Sequence, residues 1–105
     1  MRKVHSWGSS EQQYSDRPGE QVVIIKINPG ANTGRLYQGD HIVILQQGKA
    51  LLHRYINGAR VNSVDMNIGH AQLGSAILEV CIENYSEESV AVLCCVTLPP
   101  FTDAL

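Results

Sequence analysis

Residues 76–98 read AILEVCIENYSEESVAVLCCVTL, and this stretch decides the fold. Ala76 to Asn84 and Ser89 to Leu98 are two apolar runs joined by a polar turn, Tyr85 to Glu88. In the first run Ala76, Leu78, Val80 and Ile82 alternate with Ile77, Glu79, Cys81 and Glu83. That period of two is the pattern of a strand with one buried face. The second run, Val90 to Val96, is apolar on both faces. Pro99-Pro100 ends it, because proline cannot donate to a sheet ladder.

The same reading extends toward the N-terminus. Val22 to Ile27 is β-branched except for Lys26, and Asn28-Pro29-Gly30 closes it with turn residues. Ala31 to Gly39 reads as loop or short strand. His41 to Gln46 is a strand, followed by a tight turn at Gln47-Gly48. Lys49 to Ile56 and Ala59 to Met66 flank Asn57-Gly58, the strongest hairpin signal in the chain. Both central residues of a type I′ turn need positive φ, which Asn and Gly tolerate. Asn67 to Ser75 reads as a loop. No apolar stripe with a 3.6-residue period reaches helical length. Six or seven short strands at near-regular spacing predict an all-β sandwich or barrel.

Residues 1–20 are polar and read as an irregular N-terminal arm or a late edge strand. Trp7 and Tyr14 stand out in it and predict docking on the chain's own barrel or on a second subunit. The barrel is expected over residues 21–101, with a tail at 102–105. Strands apolar on both faces exceed what a small barrel buries, which predicts a homodimer or higher homo-oligomer. Charge agrees in direction. Residues 1–60 carry eight Lys/Arg and four Asp/Glu, while residues 61–105 carry no Lys/Arg and six Asp/Glu.

Composition narrows the function. The chain has 105 residues, 44% hydrophobic and 17% charged, which suits one globular domain. A net charge of −2 argues against nucleic-acid binding driven by phosphate neutralisation. No apolar run approaches ~18 residues and the first ten residues lack a signal-peptide core, so the expectation is a cytoplasmic protein with no membrane partner. Cys81, Cys94 and Cys95 form no C-x-x-C pair and read as reduced, buried thiols.

Three places resemble the cupin superfamily: Pro29-Gly30-Ala31, then IVILQQGKA (Ile42 to Ala50), then IENYSEESVAVLCCVTLPPF (Ile82 to Phe101). Against the first cupin motif, counted back from Gly48, His41 takes the glutamate place. Tyr37 and Arg35 take the two histidine places, and Gly30 is one off the leading glycine. Against the second motif, counted from Gly69, Ser75 takes the proline place and Ile77 the glycine. Val80 takes the histidine place and Asn84 the asparagine. The resemblance implies a single cupin-like jelly-roll β-barrel. The usual metal-ligand positions read Arg35, Tyr37, His41 and Val80, so the expectation is a metal-independent protein with no cofactor. Val80 has no donor atom, and Arg35 is a permanent cation.

In such a barrel Arg35, Tyr37 and His41 share one parity and are expected to point inward near the mouth. Together they offer a guanidinium, a phenol and an imidazole to a small polar or anionic molecule. His53 and Tyr55 share a face with each other and either join the pocket or face solvent; both are kept as candidate ligand-binding residues. No short ligand spacing supports a metal site from His41, His53, His70 and Asp65. The Asn28 to Arg35 segment lacks the features of a P-loop and reads as a turn-rich loop. The leading function is a small-molecule binder. The alternatives are a small isomerase- or lyase-type enzyme with His41 and Tyr37 as acid–base pair, and a structural or protein-interaction subunit with a filled barrel.

Overall fold

The computed structural model describes residues 2–37 and 39–98, with the Tyr37 side chain excluded. Ten strands follow one another: β1 (Arg2–His5), β2 (Gly8–Gln13), β3 (Gln21–Ile27), β4 (Leu36–Tyr37), β5 (Asp40–Gln47), β6 (Leu51–Ile56), β7 (Ala59–Asp65), β8 (Ala71–Gly74), β9 (Glu79–Glu83) and β10 (Ala91–Leu98). No helix occurs among the described residues. The strands form two antiparallel sheets, one of six strands in the order β1-β2-β3-β10-β5-β8 and one of four in the order β4-β9-β6-β7. The architecture is all-β, with the two sheets packed face to face as a jelly roll.

Each sheet turns one row of side chains inward, because successive residues of a strand face opposite ways. The six-stranded sheet supplies Val23, Ile25, Ile27, Val43, Leu45, Leu93 and Cys95, all at most 2% exposed. The four-stranded sheet answers with Leu36, Leu52, Val80 and Ile82, equally buried. The middle of the barrel is therefore filled with aliphatic side chains. The Asn57-Gly58 turn forms as expected, with φ of 50° and 81°. At the next tight turn, Gly48 (φ 88°) lies against β10, and a Cβ there would sit 2.6 Å from the Val90 carbonyl oxygen.

Two segments differ from the sequence reading. The polar arm is a hairpin, β1–β2, whose second strand pairs with β3 from Gly8↔Ile27 to Gln13↔Val22. Trp7, 9% exposed, joins the core at its turn, with the His5 ring stacked on it at 4.4 Å. Tyr14 remains 82% exposed. The loop expected over Asn67 to Ser75 contains β8, an edge strand paired to β5 from His41↔Gly74 to Ile44↔Ala71. The expected 102–105 tail lies outside the described residues.

At the closed end, fully buried Asn84 ties three segments together. Its Nδ2 donates to the carbonyls of Ile27 (3.0 Å) and Ser89 (2.7 Å), and its Oδ1 accepts from the Ser86 N–H (3.0 Å). Asn84→Ala orphans these backbone groups, at about 1–3 kcal/mol for each one left buried. The expected outcome is a fall of about 3 kcal/mol in unfolding free energy, read from the urea midpoint at unchanged m-value. A change under about 0.5 kcal/mol contradicts this role.

Candidate functional site

The opposite end of the barrel is polar. One inner rung of the six-stranded sheet consists of Thr97 on β10, His41 on β5 and Gly74 on β8, paired in register. Thr97 is 0% and His41 3% exposed. The His41 Nδ1–H donates to the Gly39 carbonyl at 3.0 Å, which assigns the proton to that nitrogen and leaves Nε2 as an acceptor. Burial lowers the His41 pKa from its ordinary value, and the positive charge of Arg54 adds to this. The Gly39 carbonyl and Asp40 oppose the shift. Gly74 makes room for the ring, since a Cβ there would collide with His41 Nε2 and Cε1.

Arg54 on β6 reaches across the barrel from the facing sheet. Its Nη2 donates to the Leu73 carbonyl on β8 at 2.9 Å, and it is 8% exposed. Among the described residues it is the one Lys, Arg, Asp or Glu buried to this degree, and no carboxylate lies within ion-pair distance of it. Three buried polar atoms at this end have no hydrogen-bond partner among the described residues: His41 Nε2, Arg54 Nε and Thr97 Oγ1. A cleft of about 330 Å³ lies next to His41 and Thr97, while Arg54 does not line it. His41, Gly74 and Thr97 line it together with the apolar Ile42, Leu73, Val96 and Leu98 and the charged Arg17, Glu20 and Asp40.

The residues singled out from the sequence do not all meet here. His41 points inward. Arg35 is exposed, and its guanidinium lies 4.2 Å from the Tyr55 ring centre in a cation–π contact. The inward residue of β4 is Leu36, at 2% exposure, so the register expected to aim Arg35 at the mouth places it on the outer face of the four-stranded sheet instead. The Tyr37 side chain lies outside the described residues. His53 also belongs to that outer face. Its Nε2–H donates to Glu83 Oε1 (2.9 Å), and its Nδ1 accepts from the Ser63 hydroxyl (2.7 Å). His53, Tyr55 and Arg35 thus lace β4, β6, β7 and β9 together away from the cleft.

Arg54 and Thr97 were not singled out from the sequence. Leu51 and Leu52 are both apolar, so the alternation of LLHRYI does not reveal which parity faces inward. The structure puts Leu52 and Arg54 inside. Thr97 follows a run that is apolar on both faces, which hides its direction in the same way.

The metal-ligand set of the cupin motif does not fit these positions. Val80, 0% exposed, fills the second-motif histidine place, Arg35 faces outward, and His41 has the Arg54 cation nearby. Among the described residues no three His, Cys, Asp or Glu side chains converge as a metal would require. Burial raises the pKa of all three thiols, Cys95 to about 12, so each is protonated at neutral pH.

Comparison with known proteins identifies the fold. The vicilin of hazelnut (Corylus avellana) superposes with a TM-score of 0.80 at 14% identity, over 94% of this chain and 30% of its own. A vicilin from Solanum melongena, described with different anionic ligands in structurally similar pockets, gives 0.77 at 13% identity over 92% of this chain and 28% of its own. Oxalate decarboxylase gives 0.78 at 14% identity over 95% and 27%. All three are cupin-fold proteins, and this chain has the cupin fold. It spans less than a third of the length of each of them. No protein-family model and no curated protein matches the sequence.

The His41 environment has a pH signature. Its folded pKa lies below the unfolded value of 6.5, so the unfolded chain takes up the proton first as pH falls. The stability that His41 contributes is complete above pH 6.5 and is lost as pH drops through the folded pKa. Thermal unfolding between about pH 7.5 and 5 is expected to show a shallower acid loss in His41→Gln than in the native chain. Equal slopes contradict the assignment.

Proposed function

We propose that this cupin-fold protein binds a small anionic molecule, a carboxylate in the first instance, at the open end of its barrel. The observation that carries the reading is Arg54, a buried guanidinium with no carboxylate partner among the described residues. Burying an unpaired charge is costly, and an anion accepting from the guanidinium removes that cost. The Thr97 hydroxyl, which has no partner among the described residues, can donate to such a ligand. The filled middle of the barrel confines the ligand to the end. The anionic ligands described for the Solanum melongena vicilin and the name of oxalate decarboxylase support the same ligand class. Binding needs no metal, because the arginine supplies the positive charge. The protonated, mostly buried thiols suit a reducing cytoplasm.

An enzymatic reading has one observation in its favour. His41 is held as the Nδ1–H tautomer, with a basic Nε2 beside the cleft. That is the form a general base needs. A filled barrel serving as a structural or protein-interaction subunit is the reading left if no ligand binds.

Thermal unfolding with a panel of small mono- and dicarboxylates tests the proposal. At least one member is expected to raise the Tm of chelator-treated protein. Arg54→Met, close in volume and uncharged, is expected to weaken that ligand by about 10–100-fold, the worth of one hydrogen bond to a charged group. Undiminished binding by Arg54→Met, or no response to any acid, overturns the reading. Turnover assays on the acids that bind then separate binder from enzyme.

A further inference from the structure

We propose a second binding site, on the outer face of the N-terminal hairpin, that takes a small phosphate monoester. The register builds it. Ser9 on β2 stands opposite Lys26 on β3 and, on its other side, opposite Val4 on β1. Lys26 is exposed between the fully buried Ile25 and Ile27, so this rung faces outward. Arg2, two residues before Val4, shares the face. A cleft of about 300 Å³ lies among these side chains and is lined by Asn28 and Val90 as well. A smaller one of about 90 Å³ shares Arg2, Ser9 and Lys26 with it.

The charge there is of one sign. Arg2 and Lys26 line the larger cleft and no acid does. Neither cation forms an ion pair among the described residues. Glu11, the cross-strand neighbour of Arg2, lines the smaller cleft and not the larger. His5 also lines the larger cleft, and burial followed by the charge of Lys3 holds its pKa below the ordinary value. Ser9 is 8% exposed, and its hydroxyl makes no hydrogen bond among the described residues. A buried donor beside two unpaired cations is a place for an acceptor-only group.

Charge and shape select phosphate. Two fixed cations match a dianion, and a phosphate monoester carries roughly −1.5 to −2 at pH 7 on three acceptor oxygens. The donors come from three adjacent strands: the Arg2 guanidinium from β1, the Ser9 hydroxyl from β2 and the Lys26 ammonium from β3. Strand spacing and rise put the Arg2 and Lys26 Cα atoms roughly 12 Å apart across β2, a span that two long side chains close around a tetrahedral group. The cleft is larger than a phosphate and leaves room for a small organic group against Val4 and Val90. A nucleic-acid strand would need a basic track along several phosphates, and this is one pocket. The site also gives a use to the charge split of the sequence, since Arg2, Lys3 and Lys26 are three of the eight Lys/Arg that all fall in residues 1–60.

Amide NMR of the full chain at low salt, titrated with inorganic phosphate and with glycerol phosphate, tests the site. Both are expected to give saturable shifts at residues 2–9 and 26–28 below about 10 mM, with the monoester the tighter. Arg2→Gln, Lys26→Gln and Ser9→Ala are each expected to weaken the monoester by about three- to tenfold while the rest of the spectrum stays native. Arg60→Gln, which removes an exposed cation on the other sheet, and Arg54→Met, at the barrel end, are expected to leave it unchanged. The absence of saturable shifts at the hairpin overturns the proposal. Equal weakening by Arg60→Gln marks a non-specific charge effect and overturns it too. A small dicarboxylate or a short oligonucleotide that binds these residues more tightly than the monoester assigns the cleft to another ligand, with the same consequence.

Discussion

The structure depends on the pairing of β10, which is held along its length by β3 on one side and β5 on the other. That double ladder fixes the parity of three adjacent strands at once. Once Leu93 and Cys95 face the core, Thr97 and His41 must face it too, one rung further out. The same constraint sends Val22, Ile24, Ile42, Ile44, Cys94 and Val96 outward. The polar end of the barrel and the apolar back of the sheet are thus two consequences of one register, and a one-residue slip would exchange them.

The buried polar groups at the barrel's two ends serve different purposes. At the closed end Asn84 satisfies backbone groups and is itself satisfied. At the open end Arg54 makes one hydrogen bond to the β8 carbonyl of Leu73, while its charge meets no carboxylate among the described residues. Aliphatic core residues set the depth of that end, Gly74 gives the His41 ring its space, and the Gly39 carbonyl sets the ring's tautomer. A neutral imidazole near a buried guanidinium avoids placing two cations together.

Much of this fold was legible in the sequence because alternation, turn glycines and the Asn57-Gly58 signal are local features. The cupin resemblance, which rests on strand and turn spacing, agrees with the structural relatives. His41 was legible as inward through the motif spacing counted back from Gly48, since HIVILQ itself is apolar on both faces. The β1–β2 hairpin was not: RKVH and GSSEQQ carry little strand propensity and are held by pairing to β3 and by the burial of Trp7. β8 was hidden for the same reason, with Leu73 the one large apolar side chain in AQLG. Arg54 was missed, and His53 and Tyr55 were left open between pocket and solvent, because two successive leucines make either parity of β6 plausible; Arg35 was aimed at the mouth by the motif count alone. Side-chain direction on such strands is decided by the facing sheet, and the sequence does not display that.

The most direct measurement is the ¹⁵N–¹H resonance of the Arg54 Nε–H, followed by NMR while a small dicarboxylate is titrated into metal-free protein. The account predicts a saturable downfield shift of that proton, absent when a neutral diamide of the same shape is added. An Arg54 signal that stays in place while resonances elsewhere move, or that responds equally to the diamide, would contradict it.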